Sequence, residues 1–266
     1  MTDREFDGKV AIVAGGSLGM GKAAARLLAE RGAQVVICGR REQPVRDAVV
    51  EMQSAGLQVE GIPADVGKSG DAEHLVNFTL EHFGGIDILV NSAGIQRYGT
   101  VVDTDEATWD EVFDTNVKGM YLTAHFAIPE MAKRGGGVIV NVSSVQAFAS
   151  QKSVAAYTAS KGAINALTRA MSLDHAADNI RVVAVCPGSV DTPMLRYAAE
   201  VWKGDKSEQE MIDSWGKMHP IGRVGTAEDV AELIAFLASP RASFITGGEY
   251  KIDGGLLSGI AVPLPE

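Results

Sequence analysis

Cysteine is scarce in this sequence, and long apolar runs are missing. Its two cysteines, Cys38 and Cys186, both lie inside apolar runs typical of buried strands. Buried thiols of this kind argue against a disulfide framework and against a cysteine-based metal site. The N-terminal segment MTDREFDGKV is charged and lacks the apolar core of a signal peptide, and no apolar run approaches the ~20 residues of a membrane span. We therefore expect a cytoplasmic protein that does not interact with membranes.

Positive charge is also in short supply. Lys and Arg number 24 against 34 Asp and Glu, which gives a formal charge of −10 at pH 7. This balance argues against nucleic acid or an anionic membrane as the main partner. The five histidines are scattered without metal-ligand spacing, so we expect no metal site. A hydrophobic content of 46% is ordinary for a globular protein that binds small molecules.

Apolar runs alternate with helical patterns from one end of the sequence to the other. The predicted strands span 9–14, 35–38, 59–63, 86–90, 138–142, 181–185 and 249–252, and the predicted helices span 22–31, 44–55, 71–83, 108–131, 155–174 and 227–238. This α/β alternation predicts a doubly wound parallel sheet with helices on both faces, a Rossmann fold. No linker or repeat interrupts it, so residues 1–266 are predicted to form one domain.

One segment, 188–220, departs from this alternation. It is predicted to be irregular or weakly helical, and it carries methionine and tryptophan residues. A long insertion after a sheet strand is typical of a lid over a binding site, and a packed surface excursion is the alternative.

The first predicted strand leads into the glycine-rich turn GGSLGMG at 15–21. Glycines let a backbone approach a pyrophosphate, which rests on the N-terminus of the following helix. Residues 16–22 also fit the P-loop pattern until its last position, where Ala23 replaces the Ser or Thr that holds magnesium. The turn therefore favours a dinucleotide over a nucleoside triphosphate.

The end of the second predicted strand indicates which dinucleotide is bound. NAD-binding folds usually have an acidic residue there, whereas this sequence has Gly39-Arg40-Arg41. No carboxylate is present in that stretch to repel a 2'-phosphate, and a guanidinium group can bind one. We expect NADP(H), with NAD(H) as the alternative if the two arginines only begin a solvated helix.

A candidate catalytic group lies in the middle of the chain. Tyr157 and Lys161 are four residues apart, so on a helix they share a face, where the ammonium would lower the pKa of the phenol. Ser144 follows the predicted strand at 138–142 and would project from the end of the sheet. A surface helix with an unrelated Tyr and Lys is the alternative for this spacing alone.

Taken together, these motifs resemble the short-chain dehydrogenase/reductase family over roughly residues 6–256. The resemblance rests on Gly15-x-x-x-Gly19-x-Gly21, Asp65-Val66, Asn91-Ser-Ala-Gly94, Asn116, Ser144, Tyr157-x-x-x-Lys161, Pro187-Gly188 and Asp253-Gly-Gly255. It implies an oxidoreductase that transfers a hydride between a nicotinamide cofactor and a ketone or secondary alcohol. It also implies a homotetramer, and the apolar tail from 256 to 266 would cross to a neighbouring subunit.

The resemblance also implies the roles of individual residues. Ser144 would hold the substrate oxygen, Tyr157 would be the acid/base, and Lys161 would bind the nicotinamide ribose and depress the pKa of Tyr157. Asn116 would interrupt the long helix and hold a water that feeds protons to Lys161. Cofactor contacts are implied at Gly15, Ser17, Leu18, Gly19, Met20, Arg40, Arg41, Asp65, Val66, Asn91, Ala93, Gly94, Tyr157, Lys161, Pro187, Gly188, Val190 and Thr192.

Three positions depart from the family pattern. Ala14 stands where a Thr is usual, Ser92 where a second Asn is usual, and Leu18 where some NADP-dependent members have a basic residue. These departures bear on the affinity for the cofactor and on which cofactor is bound, and none of them removes a catalytic group.

The substrate is less well indicated. The predicted pocket includes Gln96, Tyr98, Gln146, Gln151 and Ser189, with Met194 and Trp202 on the lid. Several amides in one place suit a sugar or another polyol, although they could instead lie at the rim. A 3-oxoacyl-(acyl carrier protein) reductase is an alternative that the net negative charge disfavours. A nucleotide-sensing module without turnover is an alternative of another class.

Overall fold

The computed structural model describes residues 4–259, so the end of the tail at 260–266 lies outside the described residues. A seven-stranded sheet of parallel neighbours forms the centre of the molecule, in the order β3-β2-β1-β4-β5-β6-β7. Its strands are β1 (Val10–Ala14), β2 (Gln34–Gly39), β3 (Val59–Pro63), β4 (Ile88–Asn91), β5 (Gly137–Val142), β6 (Ile180–Pro187) and β7 (Glu249–Ile252). The predicted doubly wound parallel sheet is confirmed.

Helices cover both faces of this sheet. They are α1 (Gly19–Glu30), α2 (Glu42–Ser54), α3 (Ser69–Phe83), α4 (Glu106–Phe113), α5 (Gly119–Lys133), α6 (Ala155–Asp174), α7 (Pro193–Trp202), α8 (Glu208–Gly216) and α9 (Ala227–Ala238). One core cluster joins the sheet to α1, α2 and α9, and another joins it to α3, α5 and α6. Alternate side chains of β1 enter opposite clusters, which is why that strand is apolar at every position.

The long helix predicted at 108–131 is interrupted at Asn116, as expected, and the structure divides it into α4 and α5. Between them Asp114–Lys118 forms a π-helical segment that contains the buried Asn116. Such segments add one residue to a turn and are frequent at functional sites. In this chain the widened turn coincides with two hydrogen bonds between the Asn116 side chain and the backbone of Ile95.

The segment 188–220 is more regular than predicted, since it contains α7 and α8. Thr192 caps α7 with its hydroxyl, and Pro193 occupies the first turn, where it costs no hydrogen bond. Ser207 and Glu210 form a reciprocal capping box at the start of α8. The prediction of an irregular or weakly helical segment therefore underestimates its helical content, because these capping signals outweigh the irregular apolar pattern.

Neither a helix able to span a membrane nor a cluster of metal ligands occurs among the described residues. Across residues 4–259, none of the helices is both long and apolar enough to cross a bilayer. Those same residues contain no cluster of three or more His, Cys, Asp or Glu side chains suited to a metal ion. Cys38 and Cys186 are buried free thiols.

Candidate active site

A groove of about 390 Å³ opens at the carboxyl ends of the central strands. It lies where the strand order reverses between β1 and β4, the usual ligand position in such sheets. Predicted cofactor positions that line it are Gly15, Ser17, Leu18, Gly19, Met20, Arg40, Arg41, Asp65, Val66, Ala93, Gly94 and Thr192. Residues that sequence reasoning did not assign to it include Cys38, Ala64, Ile95 and Thr115. Cys38 lies near the end of β2 and Ala64 directly follows β3. Their positions at the ends of predicted strands are the feature of the sequence that would have placed them in the groove.

The glycine-rich turn fits a dinucleotide pyrophosphate. Gly15 and Gly19 adopt positive φ angles of 79° and 53°, which favour glycine. A Cβ atom at Gly15 would lie 2.6 Å from the amide nitrogen of Ala93, so the turn must pass close to β4. Helix α1 then begins without a side-chain cap and without an acidic residue in its first turn. Its N-terminus is therefore suited to an anionic ligand.

Two arginines mark the far end of this groove. Arg40 and Arg41 both line it, and Arg41 is the N-cap residue of α2. A carboxylate oxygen of Glu111 lies 3.7 Å from Nη1 of Arg40. Asp65, predicted to contact adenine, lines the groove and accepts a hydrogen bond from the amide of Gly67 at 3.2 Å.

The structure brings Ser144, Tyr157 and Lys161 together at the carboxyl end of β5. All three side chains are buried, and the hydroxyl of Ser144 is hydrogen-bonded to the phenol of Tyr157. Nζ of Lys161 lies 5.3 Å from the centre of the Tyr157 ring and donates a hydrogen bond to the carbonyl of Val142 at 3.0 Å. The helical spacing in α6 thus places the phenol and the ammonium on one face.

The expected depression of the Tyr157 pKa is not found in the protein by itself. Burial raises the pKa of Tyr157 to about 12, and the hydrogen bond from Ser144 offsets only part of this increase. Burial also lowers the pKa of Lys161 to about 8. The ammonium points to the carbonyl of Val142 rather than to the phenol oxygen, and desolvation therefore outweighs charge attraction. The phenol of Tyr157 is consequently neutral at physiological pH.

Asn116 joins the π-helical segment to the catalytic helix. Its Oδ1 accepts from the amide of Ile95 at 2.8 Å, and its Nδ2 donates to the carbonyl of Ile95 at 2.9 Å and to Oγ of Ser160 at 3.0 Å. Gly94 lies between Asn116 and Lys161, since a Cβ there would be 3.5 Å from Oδ1 of Asn116 and 3.8 Å from Nζ of Lys161. Three of the four hydrogen-bonding positions of the Asn116 side chain are thus occupied by protein partners.

A buried chain of hydrogen bonds supports the floor of the groove. Thr123 on α5 donates to Asn91 at 2.7 Å, Asn91 donates to Asn141 at 3.0 Å, and Asn141 donates to Thr168 on α6 at 2.9 Å. All four residues are buried. Asn91, an implied cofactor contact, is therefore a buried member of a network that ties two helices to neighbouring strands.

The predicted substrate amides lie near the catalytic residues but are bonded to one another. Gln146 donates to Gln151 at 3.2 Å and accepts from Thr158 at 3.1 Å, and Gln151 is exposed. The backbone amide of Gln146 donates to Oγ of Ser144 at 3.1 Å, which ties this cluster to the catalytic serine. The carbonyl of Gln96 accepts from Arg97.

On the lid side, Met194 lines the groove, and Trp202 at the end of α7 meets Tyr98 edge to face with ring centres 5.3 Å apart. Tyr98 is one of the residues expected near the pocket. Gly99 pairs with the segment that leads into α6, so Tyr98 is held beside the catalytic helix. The aromatic contact therefore connects α7 to the loop that follows β4.

Ser189 and Val190 lie apart from the groove. They line a second cavity of about 360 Å³ together with His219. Nδ1 of His219 bonds to the carbonyl of Asp253 at 2.6 Å, and a Cβ at Gly188 would lie 2.7 Å from the imidazole ring. The predicted contacts at Pro187, Gly188 and Val190 thus lie at the end of β6 or shortly after it.

Known proteins resemble this chain along nearly its whole length. A family model described as enoyl-(acyl carrier protein) reductase matches residues 14–257. Dehydrogenase/reductase SDR family member 4 of Bos taurus is 40% identical over 254 residues, 95% of this chain and 88% of that protein. An uncharacterized oxidoreductase of Thermotoga maritima is 40% identical over 250 residues, 94% of this chain and 98% of that protein. Ligand-free aldohexose dehydrogenase of Thermoplasma acidophilum has a TM-score of 0.90 and 35% identity, with both chains fully covered.

Proposed function

The chain belongs to the short-chain dehydrogenase/reductase family of NAD(P)-dependent oxidoreductases, and from this premise we propose that it transfers a hydride between NADP(H) and a ketone or secondary alcohol. The observation that carries the proposal is the buried contact of Ser144, Tyr157 and Lys161 beside a groove suited to a dinucleotide. A surface Tyr and Lys would have no reason to be buried together at a strand end.

Side chains of the protein transfer the proton and hydrogen-bond to the substrate oxygen. The nicotinamide ring supplies or accepts the hydride when the cofactor is bound. In the reductive direction, the hydroxyls of Ser144 and Tyr157 donate hydrogen bonds to the carbonyl oxygen and stabilise its developing negative charge. Tyr157 then gives its proton to that oxygen, and the ammonium of Lys161, 5.3 Å from the centre of the ring, stabilises the phenolate until solvent returns a proton. Oxidation runs the same proton steps in reverse.

Different parts of the groove would hold different parts of the cofactor. The turn at 15–21 and the N-terminus of α1 suit the pyrophosphate, and Asp65 with Val66 suits the adenine. Lys161 would bind the nicotinamide ribose. The guanidinium groups of Arg40 and Arg41 suit a 2'-phosphate, and this favours NADP(H) over NAD(H).

A sugar or another polyol is the substrate class that we propose. The amide cluster of Gln146 and Gln151 beside Ser144 offers donors and acceptors for several hydroxyls. The similarity to an aldohexose dehydrogenase over the whole chain supports the same class. An acyl carrier protein would need several free basic residues near the site, but Arg97 and Arg196 are each held by carboxylates, which leaves Lys152 as the one of these three without an ion pair to a described residue.

Titration with NADPH and NADH, followed by nicotinamide fluorescence, tests the proposal. We expect tighter binding of NADPH and loss of that preference in Arg40→Asp. A panel of aldohexoses, cyclic polyols, simple ketones and a 3-oxoacyl thioester then identifies the substrate class. Tighter binding of NADH would refute the phosphate-binding role, and binding without turnover on the whole panel would favour a nucleotide-sensing module.

We also propose that the chain forms a homo-oligomer in the cytoplasm, with the tetramer implied by family resemblance. Exposed apolar side chains on separate elements support an association between copies, namely Trp109, Tyr121, Leu173 and Phe244. Sedimentation at micromolar concentration distinguishes the states, and a monomer there would contradict this proposal.

A further inference from the structure

One carboxylate connects the arginine end of the groove to the loop after β4. Glu111 on α4 accepts from Nη2 of Arg97 at 2.7 Å and from Nε of Arg97 at 2.9 Å. Its Oε1 also lies 3.7 Å from Nη1 of Arg40, which lines the groove. A single negative charge is therefore shared between two guanidinium groups.

The geometry keeps this carboxylate in place. Two parallel hydrogen bonds from one guanidinium fix both oxygens, the strongest form of an arginine–carboxylate pair. Nη1 of Arg97 also donates to the carbonyl of Gln96 at 3.1 Å, so the arginine is itself anchored to its loop. Glu111 consequently cannot move far when an anion approaches Arg40.

We propose that Glu111 is a selectivity residue that weakens recognition of the 2'-phosphate. This inference rests on the proposed role of Arg40 in binding that phosphate. A fixed carboxylate neutralises part of the Arg40 charge and repels a phosphate placed beside it. Among residues 4–259, no carboxylate lies within ion-pair distance of Arg41. Only the charge of Arg40 is therefore partly neutralised. The chain therefore binds NADPH less tightly than its arginine pair alone would allow, and the difference in affinity between NADPH and NADH narrows.

The expected effect is moderate because both groups are partly exposed. The side chains of Arg40 and Glu111 are 45% and 38% exposed, so water and salt screen their interaction. We expect Glu111→Gln to tighten NADPH binding about three- to tenfold at low ionic strength. The gain should shrink as salt is added, whereas NADH affinity should change less than about twofold, because NADH has no 2'-phosphate.

Asp114→Asn is the matched control. Asp114 lies three residues after Glu111, and its substitution removes the same charge, but its ion pair is with Lys118 at 3.1 Å. Wild type, Glu111→Gln, Asp114→Asn and Arg40→Ala should be titrated with NADPH, NADH, 2'-phospho-AMP and AMP at two salt concentrations. Thermal unfolding of each variant would confirm that it is folded. Glutamine retains an oxygen acceptor for Arg97, so the loop should keep its position.

The outcomes separate this inference from the proposed function. Tighter binding of NADPH and 2'-phospho-AMP in Glu111→Gln alone supports the inference. Unchanged binding in Glu111→Gln with weakened NADPH binding in Arg40→Ala overturns it and leaves the proposed function standing. An equal gain for NADH, or an equal gain in Asp114→Asn, also overturns it. If Arg40→Ala does not weaken NADPH binding, the proposed phosphate site itself is wrong.

Discussion

The two ends of the groove are built in opposite ways. At the catalytic end, Tyr157, Lys161 and Asn116 are buried and bonded to strand ends or loop backbone. At the arginine end, Arg40 and Glu111 are partly exposed and meet only through long side chains. The proposed catalytic groups are thus part of the core, whereas the arginine proposed to select the cofactor lies on an adjustable surface. Substitutions at the catalytic end should alter turnover and folding stability, and those at the arginine end should alter affinity alone.

The largest effect is expected from Tyr157→Phe. The variant keeps the buried ring and loses the proton donor, so turnover should fall about 10³-fold, within the range of a general acid. The dissociation constant of the cofactor should change less than about twofold, since the ring still fills its site. Steady-state rates and fluorescence titration check both parts. Retention of a tenth of the wild-type rate would show that another group supplies the proton.

Asn116→Ala should produce the next largest effect. It leaves the amide and carbonyl of Ile95 without their buried partners, at an expected loss of about 3 kcal/mol in the free energy of unfolding. Urea denaturation measures this loss. Asp114→Asn, in the same π-helical segment but at an exposed position, is the control and should change stability by less than about 0.5 kcal/mol. Equal stability of the two variants would contradict the structural role of Asn116.

Lys161→Met should make the protein more stable while abolishing most turnover. The pKa of Lys161 is lowered from 10.5 to about 8, so at pH 7 burial of the ammonium costs about 3 kcal/mol. Loss of the hydrogen bond to Val142 offsets about 1 kcal/mol, which leaves a gain of about 2 kcal/mol.

The pH dependence provides a separate check on this variant. Because the folded-state pKa is the lower one, the cost is full below about pH 8 and fades as the pH rises toward 10.5. The stability gain of Lys161→Met should therefore be largest at pH 7 and mostly gone at pH 10 in denaturant titrations. A gain that does not change with pH would show that improved packing, rather than loss of charge, is its cause.

The smallest effect is expected from Trp202→Ala at the end of α7. Trp202 is half exposed and its ring contact is with Tyr98, so stability should change by less than about 1 kcal/mol. If α7 covers the substrate, KM for the carbonyl substrate should rise several-fold while cofactor affinity stays constant. Val201→Ala, its exposed neighbour, should leave KM unchanged. An effect on cofactor affinity without one on KM would argue against a substrate lid.

Much of the architecture was predictable because its causes are local. Strands buried on both faces are apolar throughout, and the glycine-rich turn requires backbone angles that favour glycine. The bounds of α7 and α8 were available from Thr192-Pro193 and Ser207-x-x-Glu210, but the irregular apolar pattern between them concealed this signal.

Other features depend on contacts between distant parts of the chain. The pKa of Tyr157 follows from how completely the folded chain excludes water, which helical spacing with Lys161 does not reveal. Glu111 meets Arg40 and Arg97 only because the ends of β2 and β4 lie beside α4. Ser189 directly follows Gly188, an implied cofactor contact, but Ser189 lines the second cavity. Such assignments require the three-dimensional arrangement.

The chain of hydrogen bonds through Thr123, Asn91, Asn141 and Thr168 also limits how this protein can evolve. An apolar replacement of any one member leaves its neighbour with an unsatisfied polar group in the core. A coordinated replacement of all four by apolar residues of similar shape would leave no such group. These positions should therefore be inherited as a block, and variants that survive in a randomised library should carry either the complete polar set or none of it.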